Sequence, residues 1–269
     1  MSADSIPSRS SSDHPRREIP ERSYRNPPVV EALCEVYFAE SSWDDTAPGA
    51  FYERVKNDFP RKRQKEIQEA TITMGPEISS AGVQRLPSWM QFLTEKGDQM
   101  IQVAENLLVV NQLLPYRHFE DWEQVVYKAF TVYNEVAPPQ RITRIGLRYI
   151  NRIEIPGEKI SMEDFFAIYP QLPQSLGNMH GPFLVRVEVP QAEQGHTVLI
   201  TFGTPDLPQS FERKQTFMLD LYDRASLDEA VGETELKKEL QLAHENVVLA
   251  FEDSITDQLR DLLNMEGKK

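Results

Sequence analysis

The sequence predicts an α+β fold: two similar lobes of antiparallel sheet, each packed on a helix, with a long helix closing the chain. Three observations carry this. Short apolar runs separated by turn residues recur in both halves: Ser88–Thr94, Met100–Ala104 and Leu107–Gln112 in the first, Phe183–Val189, His196–Phe202 and Lys214–Tyr222 in the second. Each set is followed by a segment with apolar residues at helical spacing, Phe119–Val136 and about Glu233–Leu263. Between the halves, Arg141–Ile155 (RITRIGLRYINRIEI) alternates like a strand with one buried face. The order strand, helix, three or four strands, helix thus occurs twice. No residue-level repeat accompanies it, so one merged sheet is equally allowed.

The elements follow in order. Residues 1–26 are rich in Ser, Pro and Arg and read as a disordered arm. Pro27 and Pro28 hold the chain extended into a strand, Val29–Phe38. Pro48 and Gly49 introduce a helix over Phe51–Phe59, stopped by Pro60, and Ala70–Met74 forms a short strand. The meander turns at Lys96-Gly97-Asp98 and at Glu105-Asn106. In the next helix, residues 119, 122, 125, 126, 129, 130 and 133 share one face, and Pro138-Pro139 ends it. A short helix, Met162–Tyr169, follows the arginine strand. The last helix carries Leu236, Leu240, Ala243, Val247, Phe251, Ile255, Leu259 and Leu262 as one stripe. Domain limits of 27–140 and 141–269 result.

Of the 269 residues, 40% are hydrophobic and 26% charged, as in a globular chain, and no apolar run is long enough to span a membrane. The N-terminus lacks an apolar signal region, and the lone Cys34 permits no intrachain disulfide. Both fit a cytoplasmic protein. The net charge of −13 argues against a broadly basic nucleic-acid surface. From Asp220 to Lys269, thirteen acids face six bases, so that segment supplies −7 of the total.

Three blocks, NPPVVEALCEVYF, RIGLRYINRIEI and AHENVVLAFEDSITDQLRDLL, resemble the signatures of a sporadically distributed bacterial family of uncharacterised proteins of about this length. The resemblance covers residues 26–263. It implies no particular reaction and no cofactor. Sporadic distribution implies an accessory or defence-type system, with another protein or a second copy as partner. Ala243 stands before His244 where the family pattern has Leu, which keeps the apolar stripe.

No phosphate loop, GxSxG elbow or paired metal-ligand spacing occurs, and His14, His118, His180, His196 and His244 stand apart. The candidates are therefore contact residues. Arg144, Arg148 and Arg152 form a row of guanidiniums about 13 Å apart on a strand, suited to planar anions. Pairing with Glu35, Glu188 or Asp220 would answer the same row internally. Tyr149 and Asn151 add polar groups, Asn151 fixing either a ligand or the backbone near the strand's end, and His244 lies within the stripe of the last helix. Arg61, Lys62, Arg63 and Lys65 follow Pro60 as a solvated basic loop or a nucleic-acid contact. Three readings are ordered accordingly: a non-catalytic, self-associating protein-binding or regulatory protein; a binder of a small anionic ligand in a sheet–helix cleft near Arg148, Tyr149 and Asn151; and a nucleic-acid-associated factor.

Overall fold

The apolar runs become strands that are mostly longer than the sequence suggests. The computed structural model describes residues 22–74, 79–116, 118–157, 159–173, 175, 181–191, 195–205, 214–230 and 232–266, with 66–74, 79–88, 229, 265 and 266 by backbone alone. Most of the arm, His14 and His180 lie outside them. In chain order the elements are β1 (Ser23–Tyr24), β2 (Val29–Ala39), α1 (Ala47–Val55), β3 (Arg61–Met74), β4 (Ser79–Leu93), β5 (Gln99–Ala104), β6 (Leu107–Leu113), α2 (Phe119–Val136), β7 (Arg141–Pro156), β8 (Leu184–Gln191), β9 (His196–Gly203), β10 (Lys214–Ala230), α3 (Glu233–Ser254), α4 (Asp257–Leu262) and β11 (Met265–Glu266).

Nine strands form one antiparallel sheet in the order β3-β4-β5-β6-β2-β7-β10-β9-β8, and β1 pairs with β11 in a separate ribbon. The expected limit at 140/141 lies beside a hydrogen-bonded seam, since β2 pairs with β7 from Val29↔Asn151 to Ala39↔Arg141. Strand alternation divides the sheet into two unlike faces. On one, Ala32, Cys34, Val36 and Phe38 of β2 and Ile145, Leu147, Ile153 and Ile155 of β7 join the main core. There α1 contributes Phe51 and Val55, α2 contributes Trp122, Phe130 and Tyr133, and α3 contributes Leu236, Leu240, Ala243 and Val247. Among the described residues, the opposite face carries a smaller apolar cluster, Leu33, Ala104, Leu107 and Val109, with Tyr37 and Trp89 packed on it, beside many polar and charged side chains.

Three local expectations are corrected. The basic residues 61–65 are not a loop but the start of β3, an edge strand paired with β4 from Arg61↔Leu93 onward. The expected helix 162–169 shrinks to one 3-10 turn, Met162–Asp164, because Phe166 leaves to bridge Ile255. That bridge also breaks the last helix. Ile255 is extended (φ −120°, ψ 158°), Thr256 N–H donates to the Phe165 carbonyl, and the Thr256 hydroxyl caps α4 by accepting from Leu259 N–H. Ile255 and Leu259 stay buried on either side, so the apolar stripe gives no sign of the break.

Candidate functional site on the polar face of the sheet

Alternation along β7 sends Arg144, Arg148 and Arg152 to the polar face and Tyr149 and Asn151 to the helix face. The structure therefore does not bring Arg148 together with its two sequence neighbours. Arg148 makes a bidentate pair with Asp220, Nε to Oδ1 at 2.8 Å and Nη2 to Oδ2 at 2.5 Å, and this carboxylate raises its pKa further. Arg144 lies over the Tyr37 ring, 3.7 Å from its centroid, with its Nε buried. Arg152 contacts Glu154 at 2.8 Å. Beside this row Tyr222 crosses β7 above Gly146 and donates its hydroxyl to Glu35 on β2, at 3.0 Å. A Cβ at Gly146 would sit 2.6 Å from the Tyr222 ring, so glycine is what lets the ring cross. Each arginine of the row thus has a partner inside the fold.

On the helix face Asn151 donates to the Leu219 carbonyl at 3.0 Å and is 1% exposed. Tyr149 bonds Tyr116 (2.8 Å) and His244 Nδ1 (3.0 Å), and the His244 ring stacks on Phe119 at 3.8 Å. Burial pushes the His244 pKa down to about 4, despite the opposing field of Glu120, and pushes Tyr116 up to about 12. His244 is therefore a neutral packing residue near pH 7.

The basic cluster is split the same way. Lys62 turns to the helix face, 4.3 Å from the Tyr52 ring centroid, while Arg63 and Lys65 stay on the polar face. There they border a cleft of about 430 Å³, lined also by Glu31, Gln64, Gln91, Met100, Gln102 and Asn111. A chain of hydrogen bonds crosses five strands on its floor. Arg63 Nε donates to Gln91 Oε1 (2.5 Å), Gln91 Nε2 to Gln102 Oε1 (2.6 Å), Gln102 Nε2 to Asn111 Oδ1 (2.8 Å), and Asn111 Nδ2 to Glu31 Oε1 (2.7 Å). The ends fix its direction, because a guanidinium only donates and a carboxylate only accepts. All three amides must therefore point the same way. They are 2–7% exposed, and the relay uses one N–H and one lone pair of each. Each amide carries one more of both, on a basic-to-acidic floor about 19 Å long at sheet spacing.

A second polar cluster was also hidden from the sequence. His196 on β9 is buried between Asp223 on β10, bonded to Nδ1, and Glu239 on α3, 2.8 Å from Nε2. Asn246 donates to Asp223 at 2.9 Å, and Lys238 to Glu239 at 2.9 Å. Carboxylates flank both ring nitrogens, an arrangement that favours the imidazolium. Burial lowers its pKa, but the hydrogen bonds and charges of the two acids outweigh this and raise it. Among the described residues, no group of three or more His, Cys, Asp or Glu is arranged to hold a metal ion.

The relay left one signal in the sequence. SWMQFLT, MIQVA and LLVVNQL each place an amide among apolar neighbours, and the meander turns set Gln91 opposite Gln102 and Asn111 diagonally across from Gln102. Comparison with protein-family models and with curated proteins finds no match for this chain.

Proposed function

We propose that this chain is a non-catalytic recognition protein. Its cleft receives a small polar ligand that carries an anionic group for the Arg63–Lys65 end and an amide-like hydrogen-bonding edge for Gln91, Gln102 and Asn111. The aligned relay from Arg63 to Glu31 carries this reading, because it holds donors and acceptors in one fixed direction before a ligand arrives. The cleft volume falls in the range of small-ligand sites. A binding role is also supported by how the usual reactive groups are occupied. His196 has both nitrogens engaged by carboxylates, and His244 is stacked and neutral. The Cys34 thiol is buried and pushed well above its ordinary pKa.

A thermal-shift screen of amino acids, dicarboxylates and nucleotides tests this. A ligand at a hundred times its Kd adds about 2.7 kcal/mol, a rise of roughly 5–10 °C for a chain of this size. The shift should disappear in Arg63→Ala and weaken in Gln102→Leu, while Arg148→Ala keeps it. A shift that survives Arg63→Ala, or a screen in which no compound shifts the melting point, sinks the reading.

A further inference from the structure

The two edges of the sheet are unlike. At the β3 edge, residues 61–65 are exposed and carry Arg61, Lys62, Arg63 and Lys65, like charges that repel a second copy. At the β8 edge, Leu184, Val187 and Val189 are 71%, 42% and 36% exposed, and one strand thus holds three of the five large apolar side chains most exposed among the described residues. No described strand pairs with its outer side.

We propose that β8 is a self-association edge, on which a second copy of this chain pairs antiparallel about a two-fold axis at Val187. This rests on observations separate from the cleft. The strand reads Leu184-Val185-Arg186-Val187-Glu188-Val189-Pro190, and reversed about Val187 it becomes its own complement. In that register Arg186 of each copy lies opposite Glu188 of the other, Val185 lies opposite Val189, and Val187 meets itself. Shifting the axis by one residue either way would set Arg186 against Arg186 or Glu188 against Glu188, so charge selects one register.

The backbone is compatible with that register, since an axis on any residue, unlike one between residues, keeps outward groups opposite outward groups. Thr204 N–H donates to the Phe183 carbonyl, and Phe183–Thr204 continues the β8–β9 register (Leu184↔Gly203, Val185↔Phe202). Phe183, Val185, Val187 and Val189 therefore turn their N–H and C=O groups towards β9. Those of Leu184, Arg186 and Glu188 point outward, as does the Pro190 carbonyl. An axis at Val187 matches outward residues with outward residues, Arg186 exchanging both backbone bonds with Glu188 of the other copy. Pro190 falls at an outward position, where its missing N–H costs the β8–β9 ladder nothing. The valines of both copies would form one apolar strip on the helix face. It would continue the apolar groove lined by Val198, Ile200, Ile168, Leu249 and Ala250.

Sedimentation of charge-reversed variants tests the register. Wild type should show a concentration-dependent dimer. Arg186→Glu and Glu188→Arg, each alone, set like charges opposite each other twice per dimer and should weaken it about tenfold or more. An equimolar mixture of the two single variants should associate again, because each copy then meets its opposite. The double variant Arg186→Glu/Glu188→Arg should dimerise like wild type, which also shows that the substitutions leave the fold intact. A wild type that is monomeric at every concentration overturns the proposal and leaves the edge to another protein's strand. So do single reversals that leave the dimer unchanged, and a mixture that stays monomeric.

Discussion

Acidification should destabilise this chain through His244, by an amount that follows from its surroundings. The ring is stacked on Phe119 and bonded to Tyr149, and burial lowers its pKa from 6.5 to about 4. Between those values the unfolded chain binds a proton that the folded one refuses. The stabilising contribution is complete above pH 6.5 and is lost as the pH falls towards the folded value. The whole depression is worth about 3 kcal/mol, and about 2 kcal/mol of it is lost between roughly pH 7.5 and 5. His244→Phe keeps a flat ring against Phe119 but cannot titrate. It forgoes the bond from Tyr149, so it should be less stable near pH 7.5 by about 1–2 kcal/mol. Urea unfolding of both proteins at the two pH values reads the comparison. The gap between them should narrow or reverse at the lower pH. A gap that stays constant means that His244 titrates alike in the folded and unfolded chains, and the account of its burial fails.

His196 should give the opposite limb. Its raised pKa makes its contribution complete below pH 6.5 and lost as the pH rises through the folded value, so the melting point should fall on the alkaline side in wild type but not in His196→Leu. That variant strands Asp223, 0% exposed, without its cation and should cost about 3–5 kcal/mol, with partial recovery on adding Asp223→Asn, read by urea unfolding. Gly146→Ala should destabilise wild type by about 1–2 kcal/mol by displacing the Tyr222 ring, yet stabilise a Tyr222→Ala background, where only the strand preference for alanine over glycine remains. Arg148→Ala should cost about 1 kcal/mol or less, because the Arg148 side chain is 42% exposed and its pair with Asp220 is screened by water; double-mutant unfolding with Asp220→Ala measures it.

The parts legible in the sequence were those with a local period. The alternation of β7 correctly separated Ile145, Leu147, Ile153 and Ile155 from Arg144, Arg148 and Arg152, and the stripe from Phe119 to Tyr133 gave α2 its buried face. Asp220 was among the acids expected opposite the arginine row, and it is the partner of Arg148. Long-range register was not legible. The relay needs Gln91 and Gln102 set opposite each other by one hairpin, Asn111 set diagonally beside Gln102 by a second, and Glu31 supplied by a strand 80 residues away in the chain. His196 finds Asp223 and Glu239 across 27 and 43 residues, on a different strand and a helix, and no spacing rule links them. The break at Ile255 escaped for another reason: the residues around it keep their burial while the backbone leaves the helix.

The small ribbon of β1 and β11 brings the two ends of the fold to one corner. Ser23 pairs with Glu266, and the buried carboxylate of Glu252 receives Arg22, Tyr24 and Arg260 together. A dye at each end of the described chain would therefore report by energy transfer on closure of the whole molecule, since neither partner of the ribbon is local to the other. The same adjacency suits residues 22–266 to circular permutation, with a short bridge from Glu266 to Arg22 and new ends opened at the Gly97 turn.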